Sequence, residues 1–234
     1  MVLYVNIVRK KMTEIVIITA MQSEFNAMCK LYDFSGDDKF AVAAVNGHQI
    51  VLIKSGIGKV NAAVMTEYSS NLKPDYIITT GLAGGIDQSL HQGDIILADK
   101  ACYHDVWCGS PNQKGQVQDL PPYYAANDEA IKKIKEKAPD FNVGLILTGD
   151  QFITDEKKLY QIKQDFPQAL AVDMESAAVA QVCYLNQIPF LSLRIISDVV
   201  GKKEQQQQYE DFWKNMPSNA SKMLEIALSA LLSG

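Results

Sequence analysis

The stretch FLSLRIISDVV, residues 190–200, decides the fold class. Its apolar residues form a nearly continuous run after Pro189, which is typical of a strand covered on both faces of a sheet. The run also contains Arg194, and a cation inside a core strand is costly unless a carboxylate pairs with it. Glu175, which opens an Ala-rich helical segment, is the best candidate for that partner. Because ligands bind at the carboxyl ends of strands in open α/β sheets, we expect Asp198 at a binding site.

Strands and helices alternate along the rest of the chain. Strands are predicted at 14–19, 40–45, 49–55, 76–80, 93–98, 143–148 and 171–172. Helices are predicted at 22–31, 60–71, 128–137, 157–165, 174–185 and 219–232. This alternation is typical of an α/β fold, and it predicts a three-layer α/β/α sandwich around a twisted mixed β-sheet.

Three polar or glycine-rich segments predict the connections. Asn46-Gly47 favours a type I′ turn and therefore a β-hairpin. Gly81–Gly85 predicts a strand-to-helix turn or a close backbone approach. Lys202–Gln208, with the sequence KKEQQQQ, predicts a mobile polar loop.

The composition narrows the class of protein. A chain of 234 residues with 47% hydrophobic and 21% charged residues is ordinary for a soluble globular protein. A net charge of −5 argues against nucleic-acid binding, and no apolar run approaches the roughly 18 residues that span a bilayer. In residues 1–11 the apolar residues precede the basic ones, the reverse of a secretory signal. We therefore expect a dispensable N-terminal extension at 1–11 and a single domain at 12–234.

The cysteines and histidines predict no metal site. Neither set shows a ligand spacing; the residues are Cys29, Cys102, Cys108, Cys183, His48, His91 and His104. Buried free cysteines are typical of a reducing compartment, so a cytoplasmic location is expected, and no cofactor is expected.

Each candidate motif has an ordinary structural explanation when it is taken alone. Gly56–Lys59 could bind an anion, but it lacks the Walker and dinucleotide spacings, so a tight turn is favoured. Glu24 follows a strand, where a helix cap is as good an explanation as catalysis. Asp173 and Glu175 are typical of solvated acids at the start of a helix.

The motifs taken together resemble the 5′-methylthioadenosine/S-adenosylhomocysteine nucleosidases of the nucleoside phosphorylase superfamily. The resemblance extends from Thr13 to the C-terminus and rests on eight segments in order: AMQSE at 20–24, SGIGKVNAA at 55–63, TGLAGG at 80–85, GDI at 93–95, YHD at 103–105, GDQFI at 149–153, VDME at 172–175 and RIISD at 194–198. It implies a nucleoside phosphorylase-like fold and hydrolysis of an N-glycosidic bond, with an oxocarbenium-like transition state.

The resemblance also implies roles for individual residues. Asp198 would bind the purine at N7 and the exocyclic amine and act as general acid, while Glu24 would activate the attacking water. Glu175 would bind the ribose hydroxyls, and Met174 would pack against the sugar. Phe152 would stack on the base, and backbone groups near Phe152 and Ile153 would read its edge. Ser197 and Arg194 would support Asp198 and Glu175, and the remaining substrate contacts would come from Met21, Ala83, Gly84 and Tyr209.

Some positions depart from the family pattern. Leu82 stands where many members carry a small hydroxyl residue, and Tyr209 stands in place of a Phe. The segment 106–121 matches poorly, although in the family this region helps to line the 5′-alkylthio pocket of the neighbouring subunit. The 5′ specificity is therefore open, and Trp107, Leu120 and Pro121 are candidates for lining that pocket.

Three alternative functions stay open. A phosphate-dependent phosphorylase needs several arginines, and this chain has only Arg9 and Arg194, so hydrolysis is favoured. The others are a nucleosidase for another adenine nucleoside, such as aminofutalosine, and a non-catalytic adenosine-binding module. The expected partners are a small adenine nucleoside and a second copy of the chain, with an interface that includes Trp107, Pro121, Pro122, Tyr123 and Tyr124.

Overall fold

The computed structural model describes residues 13–202, 205–215 and 217–233, and it describes no side chain between 213 and 219. The proposed extension at 1–11 lies outside this part of the chain, so its boundary stays a prediction. The strands are β1 (Glu14–Thr19), β2 (Ser35–Gly36), β3 (Phe40–Val45), β4 (His48–Lys54), β5 (Tyr76–Gly85), β6 (Ile95–Tyr103), β7 (Tyr124–Ala125), β8 (Asn142–Thr148), β9 (Ala169–Asp173) and β10 (Phe190–Val199). The helices are α1 (Gln22–Met28), α2 (Lys59–Ser70), α3 (Asp128–Lys137), α4 (Glu156–Asp165), α5 (Ser176–Asn186), α6 (Gln205–Asn215) and α7 (Pro217–Leu232).

The strands form one mixed sheet in the order β10-β6-β8-β9-β5-β1-β4-β3-β2, with β7 paired to β6. Strand β10 runs parallel to β5 and antiparallel to β6, so the path β10-β6-β8-β9-β5 returns to β10 and closes a ring of strands. All ten residues of β10 are buried, as the apolar run at 190–200 predicts. Helices cover both sides of the sheet: α2 packs on α5, and α7 packs on α1 and α3. The predicted α/β/α arrangement is confirmed.

The hairpin predicted at Asn46-Gly47 is also confirmed. Strands β3 and β4 pair antiparallel with Val45 opposite His48. Asn46 and Gly47 both have positive φ, at 52° and 81°, which a type I′ turn requires and which these two residue types tolerate best.

The glycines at 81–85 belong to a strand, so a strand-to-helix turn is the wrong interpretation. Strand β5 continues through Gly85 because both of its neighbours extend as far: Gly84 pairs with Asp198 of β10 and with Val172 of β9. A Cβ atom at Gly84 would lie only 3.1 Å from Val200 Cγ2 and 3.5 Å from Asp198 Oδ2. Glycine therefore permits close packing beside Asp198, which is the close backbone approach that the sequence also predicts for these residues.

The mobile loop predicted at 202–208 is wrong where the structure describes it. Residues 205–208 form the first turn of α6, and Gln205 is buried. The Gln208 side-chain oxygen accepts a hydrogen bond from the Val199 N–H, which fixes the helix against the end of β10. Tertiary contacts, which a polar low-complexity run does not reveal, order residues 205–208.

Within the residues that the structure describes, no helix combines the length and the apolar character needed to cross a bilayer.

Candidate active site

The predicted site residues, with the exception of Arg194, line one open cavity of about 620 Å³. Met21 and Glu24 reach it from the start of α1, and Ala83 and Gly84 from β5. Phe152 and Ile153 follow β8, Met174 and Glu175 follow β9, Ser197 and Asp198 end β10, and Tyr209 lies on α6. The cavity therefore lies at the carboxyl ends of β1, β5, β8, β9 and β10, where open α/β sheets bind ligands.

Asp198 is a buried carboxyl group with one hydrogen-bond donor on each oxygen. The Ser197 hydroxyl donates to Oδ1 at 2.5 Å, and Gln205 Nε2 donates to Oδ2 at 2.8 Å. Burial raises the pKa of Asp198, and the two hydrogen bonds offset part of that rise. The carboxyl group therefore retains a proton at a higher pH than an exposed aspartate does.

Glu24 lies in the first turn of α1, and backbone donors surround its carboxylate. Oε2 accepts from the N–H groups of Ala20 and Met21, both at 2.9 Å, and Oε1 accepts from the Leu82 N–H at 3.2 Å. Burial raises the pKa of Glu24, and these donors together with Arg194 oppose the rise. A carboxylate has about four lone-pair positions, so one stays available on Oε1 for a ligand or a water molecule. Glu24 caps the Met21 N–H at the start of α1 and still has one lone pair available, so the capping and catalytic explanations of this residue are compatible.

Gly81 makes room for this carboxylate, which the sequence does not reveal. A Cβ atom at Gly81 would lie 2.5 Å from Glu24 Oε1 and 3.0 Å from its Cδ. Any side chain at position 81 would therefore displace Glu24.

Arg194 has a different first partner from the one expected. The sequence predicts Glu175, but Arg194 Nε donates to Asp173 Oδ2 at 2.7 Å, whereas Glu175 Oε2 lies 4.0 Å from Nη2. Nη2 instead donates to the Thr79 hydroxyl at 3.0 Å, and Nη1 is buried with no partner among the described residues. Asp173 is the closer partner because it is the last residue of β9, inside the sheet layer, and Glu175 lies beyond the strand end.

Asp173 and Glu175 are buried, so the expectation of solvated acids is wrong. Asp173 also accepts hydrogen bonds from the hydroxyl groups of Thr148 and Ser176, at 2.6 and 2.5 Å. Burial and the neighbouring Asp173 raise the pKa of Glu175, while Arg194 and the Gly58 N–H lower it. Two acids and one arginine thus share a low-dielectric site, in which Asp173 forms the direct ion pair with Arg194 and Glu175, at the cavity wall, has the raised pKa.

The Gly56–Lys59 segment positions Glu175. The Gly58 N–H donates to Glu175 Oε1 at 2.9 Å, and Gly58 has φ of 94°, a conformation that favours glycine. The segment bends the chain into the start of α2 and also orients a side chain of the site. Lys59 Nζ donates to Asp105 Oδ2 at 2.7 Å and is therefore neutralised.

Aromatic and apolar side chains form the mouth of the cavity. The Phe152 and Tyr209 rings meet edge-on, with centroids 5.3 Å apart, and Phe152 is 53% exposed. Ile57, also lining the cavity, is similarly exposed. The mouth thus offers apolar contact area for a ligand that protrudes from the buried end.

Gln205 is a site residue that the sequence does not indicate. Its side chain lines the cavity and contacts Asp198, yet it lies in a run of four glutamines in which only its position on α6 distinguishes it. Among the described residues, no three His, Cys, Asp or Glu side chains are grouped in a way that could hold a metal ion. The absence of a metal or cofactor stays a prediction.

Comparisons with known proteins define the superfamily of this chain. Residues 14–233 match the family model described as the phosphorylase superfamily. The chain belongs to that superfamily, which confirms the fold that the sequence motifs imply.

Relatives define the family more narrowly. The chain is 41% identical over 193 residues to a 5′-methylthioadenosine/S-adenosylhomocysteine nucleosidase of Marinomonas sp. (strain MWYL1), covering 80% of this chain and 83% of the relative. A nucleosidase of the same name from Staphylococcus aureus (strain MRSA252) is 36% identical over 226 residues, which covers 92% and 99% of the two chains. The solved nucleosidase of S. pneumoniae with the transition-state inhibitor MT-ImmA is 30% identical, with a TM-score of 0.87 over 94% of this chain and 100% of that one. Within the superfamily, this chain belongs to the 5′-methylthioadenosine/S-adenosylhomocysteine nucleosidase family, as the motifs at 20–24 to 194–198 predict.

Proposed function

We propose that this protein hydrolyses the N-glycosidic bond of 5′-methylthioadenosine and S-adenosylhomocysteine, releasing adenine and the 5-thioribose product. The observation that carries the proposal is the presence of two buried carboxyl groups, Glu24 and Asp198, on one cavity in different hydrogen-bonding environments. Environments that differ in this way separate the roles of base and acid in hydrolases.

Asp198 is the general acid in this proposal. Burial raises the pKa of its carboxyl group, and its two oxygens, Oδ1 beside Ser197 and Oδ2 beside Gln205, can serve two adjacent positions of the purine, N7 and the exocyclic amine. A protonated Asp198 donates to N7 of the leaving adenine, so the base departs without a negative charge. Such a proton transfer contributes about 10²–10⁴ in rate.

Glu24 is the general base. Three backbone N–H groups hold its carboxylate in one orientation, and the remaining lone pair on Oε1 can accept a proton from water. The unpartnered Nη1 of Arg194 is a further donor in the same buried region and contributes to the charge balance around Glu24.

Glu175 and Met174 contact the ribose. The Glu175 carboxylate, oriented by the Gly58 N–H, accepts hydrogen bonds from the sugar hydroxyls, and Met174 packs against the ring. Phe152 stacks on adenine, and the backbone of Phe152 and Ile153 reads its edge. Met21, Ala83, Gly84 and Tyr209 complete the wall of the cavity.

The hydrogen bonds and ion pairs of Arg194 and Lys59 favour hydrolysis over phosphorolysis. Among the described residues Arg194 is the only arginine, and its Nε and Nη2 atoms are bonded to Asp173 and Thr79. Lys59 is paired with Asp105. Neither cation offers the bidentate clamp that phosphate recognition uses.

The assembly that we propose is a homodimer. The exposed face of α2 carries an apolar stripe at i, i+4 spacing, with Val60, Val64 and Tyr68 exposed by 73%, 60% and 62%. Tyr184 and Leu185 extend it on the adjacent α5. An apolar surface of this kind marks an interaction site, and a second copy of the chain is the occupant that a nucleosidase dimer implies. Tyr124, which the sequence suggests for the interface, is instead buried against Tyr103 and Tyr184 within the chain.

The stripe lies next to the cavity mouth. Ile57, just before α2, lines the cavity and is 52% exposed, so a partner that covers α2 also covers part of the 5′ side of the site. Trp107 is exposed and stays a candidate for this pocket. A cytoplasmic location remains part of the proposal, consistent with four cysteines that are all free.

The direct test is an assay of adenine release from 5′-methylthioadenosine by purified protein, with and without phosphate. Hydrolysis predicts equal rates in both conditions and a free thioribose product. A rate that depends on phosphate, with a sugar 1-phosphate as product, would establish a phosphorylase instead. Binding of the nucleoside without release of adenine would establish the non-catalytic alternative.

A further inference from the structure

The Gln205 carboxamide makes two hydrogen bonds from one nitrogen atom inside the cavity. Nε2 donates to Asp198 Oδ2 and to the Ile153 carbonyl oxygen, both at 2.8 Å. Its Oε1 accepts from the Gly201 N–H at a longer distance, 3.3 Å. The side chain is only 6% exposed although it begins a helix, so it is held inside the site rather than at its rim.

The two acceptors belong to residues that the proposed function assigns to the purine. An exocyclic amine of adenine is a planar nitrogen with two hydrogens, and a carboxamide nitrogen has the same two donors in the same plane. Asp198 Oδ2 and the Ile153 carbonyl oxygen accept both hydrogens of one NH2 group. That group can be the carboxamide of Gln205 or the exocyclic amine of adenine.

We propose that Gln205 occupies the place of the adenine amine in the unliganded protein and leaves it when adenine binds. The proposal rests on the proposed function, because it takes Asp198 and Ile153 as the adenine-reading groups. When adenine is not bound, Gln205 donates to both acceptors at the buried end of the cavity. In the complex, the adenine amine replaces both bonds, so the exchange conserves the number of hydrogen bonds.

The proposal has a thermodynamic consequence for binding. A ligand that must displace Gln205 binds only to the fraction of molecules in which the side chain has moved away, so its apparent affinity is reduced by that fraction. Removing the Gln205 donors should therefore tighten adenine binding. The Nε2 atom breaks two hydrogen bonds on leaving, and even one bond of ordinary net strength corresponds to roughly a threefold to tenfold change in equilibrium constant.

The experiment measures the dissociation constant of adenine by calorimetry for the wild-type protein, Gln205→Met and Gln206→Met. Methionine has a similar length and no donor. Gln206 is the matched control because it is the next residue of the same helix, is exposed, and donates to Glu210 Oε1 at 3.0 Å. We expect Gln205→Met to bind adenine at least about threefold more tightly and Gln206→Met to bind it as the wild type does. Unchanged or weaker binding by Gln205→Met would overturn the proposal.

A second measurement does not depend on the folding of a variant. In a crystal structure of the wild-type protein with adenine, we expect Gln205 Nε2 beyond hydrogen-bond distance of both Asp198 Oδ2 and the Ile153 oxygen, with the adenine amine in its place. If adenine binds and Gln205 keeps both bonds, this proposal fails while the proposed function stands. If the wild-type protein neither binds adenine nor releases it from methylthioadenosine, the proposed function itself fails.

Discussion

Replacing Glu24 by glutamine separates the two roles that this residue can have. The amide oxygen can take the position of Oε2 and keep the hydrogen bonds from the Ala20 and Met21 N–H groups. The amide NH2 then takes the position of Oε1 and faces the Leu82 N–H, so one 3.2 Å hydrogen bond becomes a contact between two donors. One lost buried hydrogen bond costs about 1–2 kcal/mol, which lowers the melting temperature by roughly 2–8 °C for a chain of this size.

The expected loss of activity is much larger. Removing a general base slows turnover by about 10²–10⁴, equivalent to roughly 3–5 kcal/mol in the activation barrier. At 25 °C a protein destabilised by about 1–2 kcal/mol is still folded, so unfolding does not account for such a loss. We therefore expect Glu24→Gln to bind adenine and to release almost none from methylthioadenosine.

The assay combines adenine release at saturating substrate with thermal unfolding of the same samples. Glu129→Gln serves as control, since Glu129 is an exposed glutamate on α3 that forms an ion pair with Lys133 Nζ at 2.9 Å. It should match the wild type in turnover and nearly in melting temperature. A Glu24→Gln variant that melts earlier but keeps turnover within about tenfold per folded molecule would show that Glu24 only caps α1.

The remaining predictions concern the acid, the 5′ group, the interface and the N-terminus. Asp198→Asn should fold and bind adenine but lose at least about 10² in kcat; near wild-type turnover would remove Asp198 from the mechanism. Because burial raises the pKa of Asp198 and the acid must be protonated, kcat/KM of the wild type should fall as pH rises through that raised pKa, a limb that a pH profile of Asp198→Asn should lack. Across a substrate panel, methylthioadenosine should have the highest kcat/KM, S-adenosylhomocysteine a lower one, and adenosine should lose about 1–3 kcal/mol; equal rates for adenosine would contradict an apolar 5′ pocket. Val64→Asp should convert a dimer into a monomer in sedimentation at micromolar concentration, and a wild-type monomer with full activity would refute the interface on α2. Deleting residues 1–11 should leave activity intact, and a folded but inactive truncation would contradict the assignment of an extension.

The sequence predicts the fold well because the fold depends on local patterns. The apolar run of β10, the Asn46-Gly47 turn and the alternation of strands and helices each specify structure within a few residues. The requirement that a buried Arg194 be paired is also correct, since it follows from the cost of an unpaired charge. The choice between Asp173 and Glu175 depends on where β9 ends, and strand ends are the least predictable feature of a sequence.

Contacts between distant segments account for what the sequence does not predict. Gly81 is required by the Glu24 carboxylate, which lies 57 positions earlier in the chain, and no local turn signal encodes that requirement. Gln205 is distinguished from its three neighbouring glutamines only by the position at which α6 begins against β10. The roles of both residues can be recognised only in the folded chain, where the carboxyl ends of the strands lie together.

Strand β10 carries Arg194 and Asp198, four positions apart, which is roughly 13 Å along an extended chain. It is held on one side by β5 and on the other by β6, so neither residue can shift along the strand without breaking two ladders. The register shift between Ile196 and Asp198 is the single irregularity in its pairing with β5. A one-residue insertion or deletion at 195–197 would therefore preserve the surroundings of Arg194 and those of Asp198. It would change the distance and the relative orientation of the two residues along the strand. Among active homologues, the number of residues in this interval should therefore vary far less than their identities do.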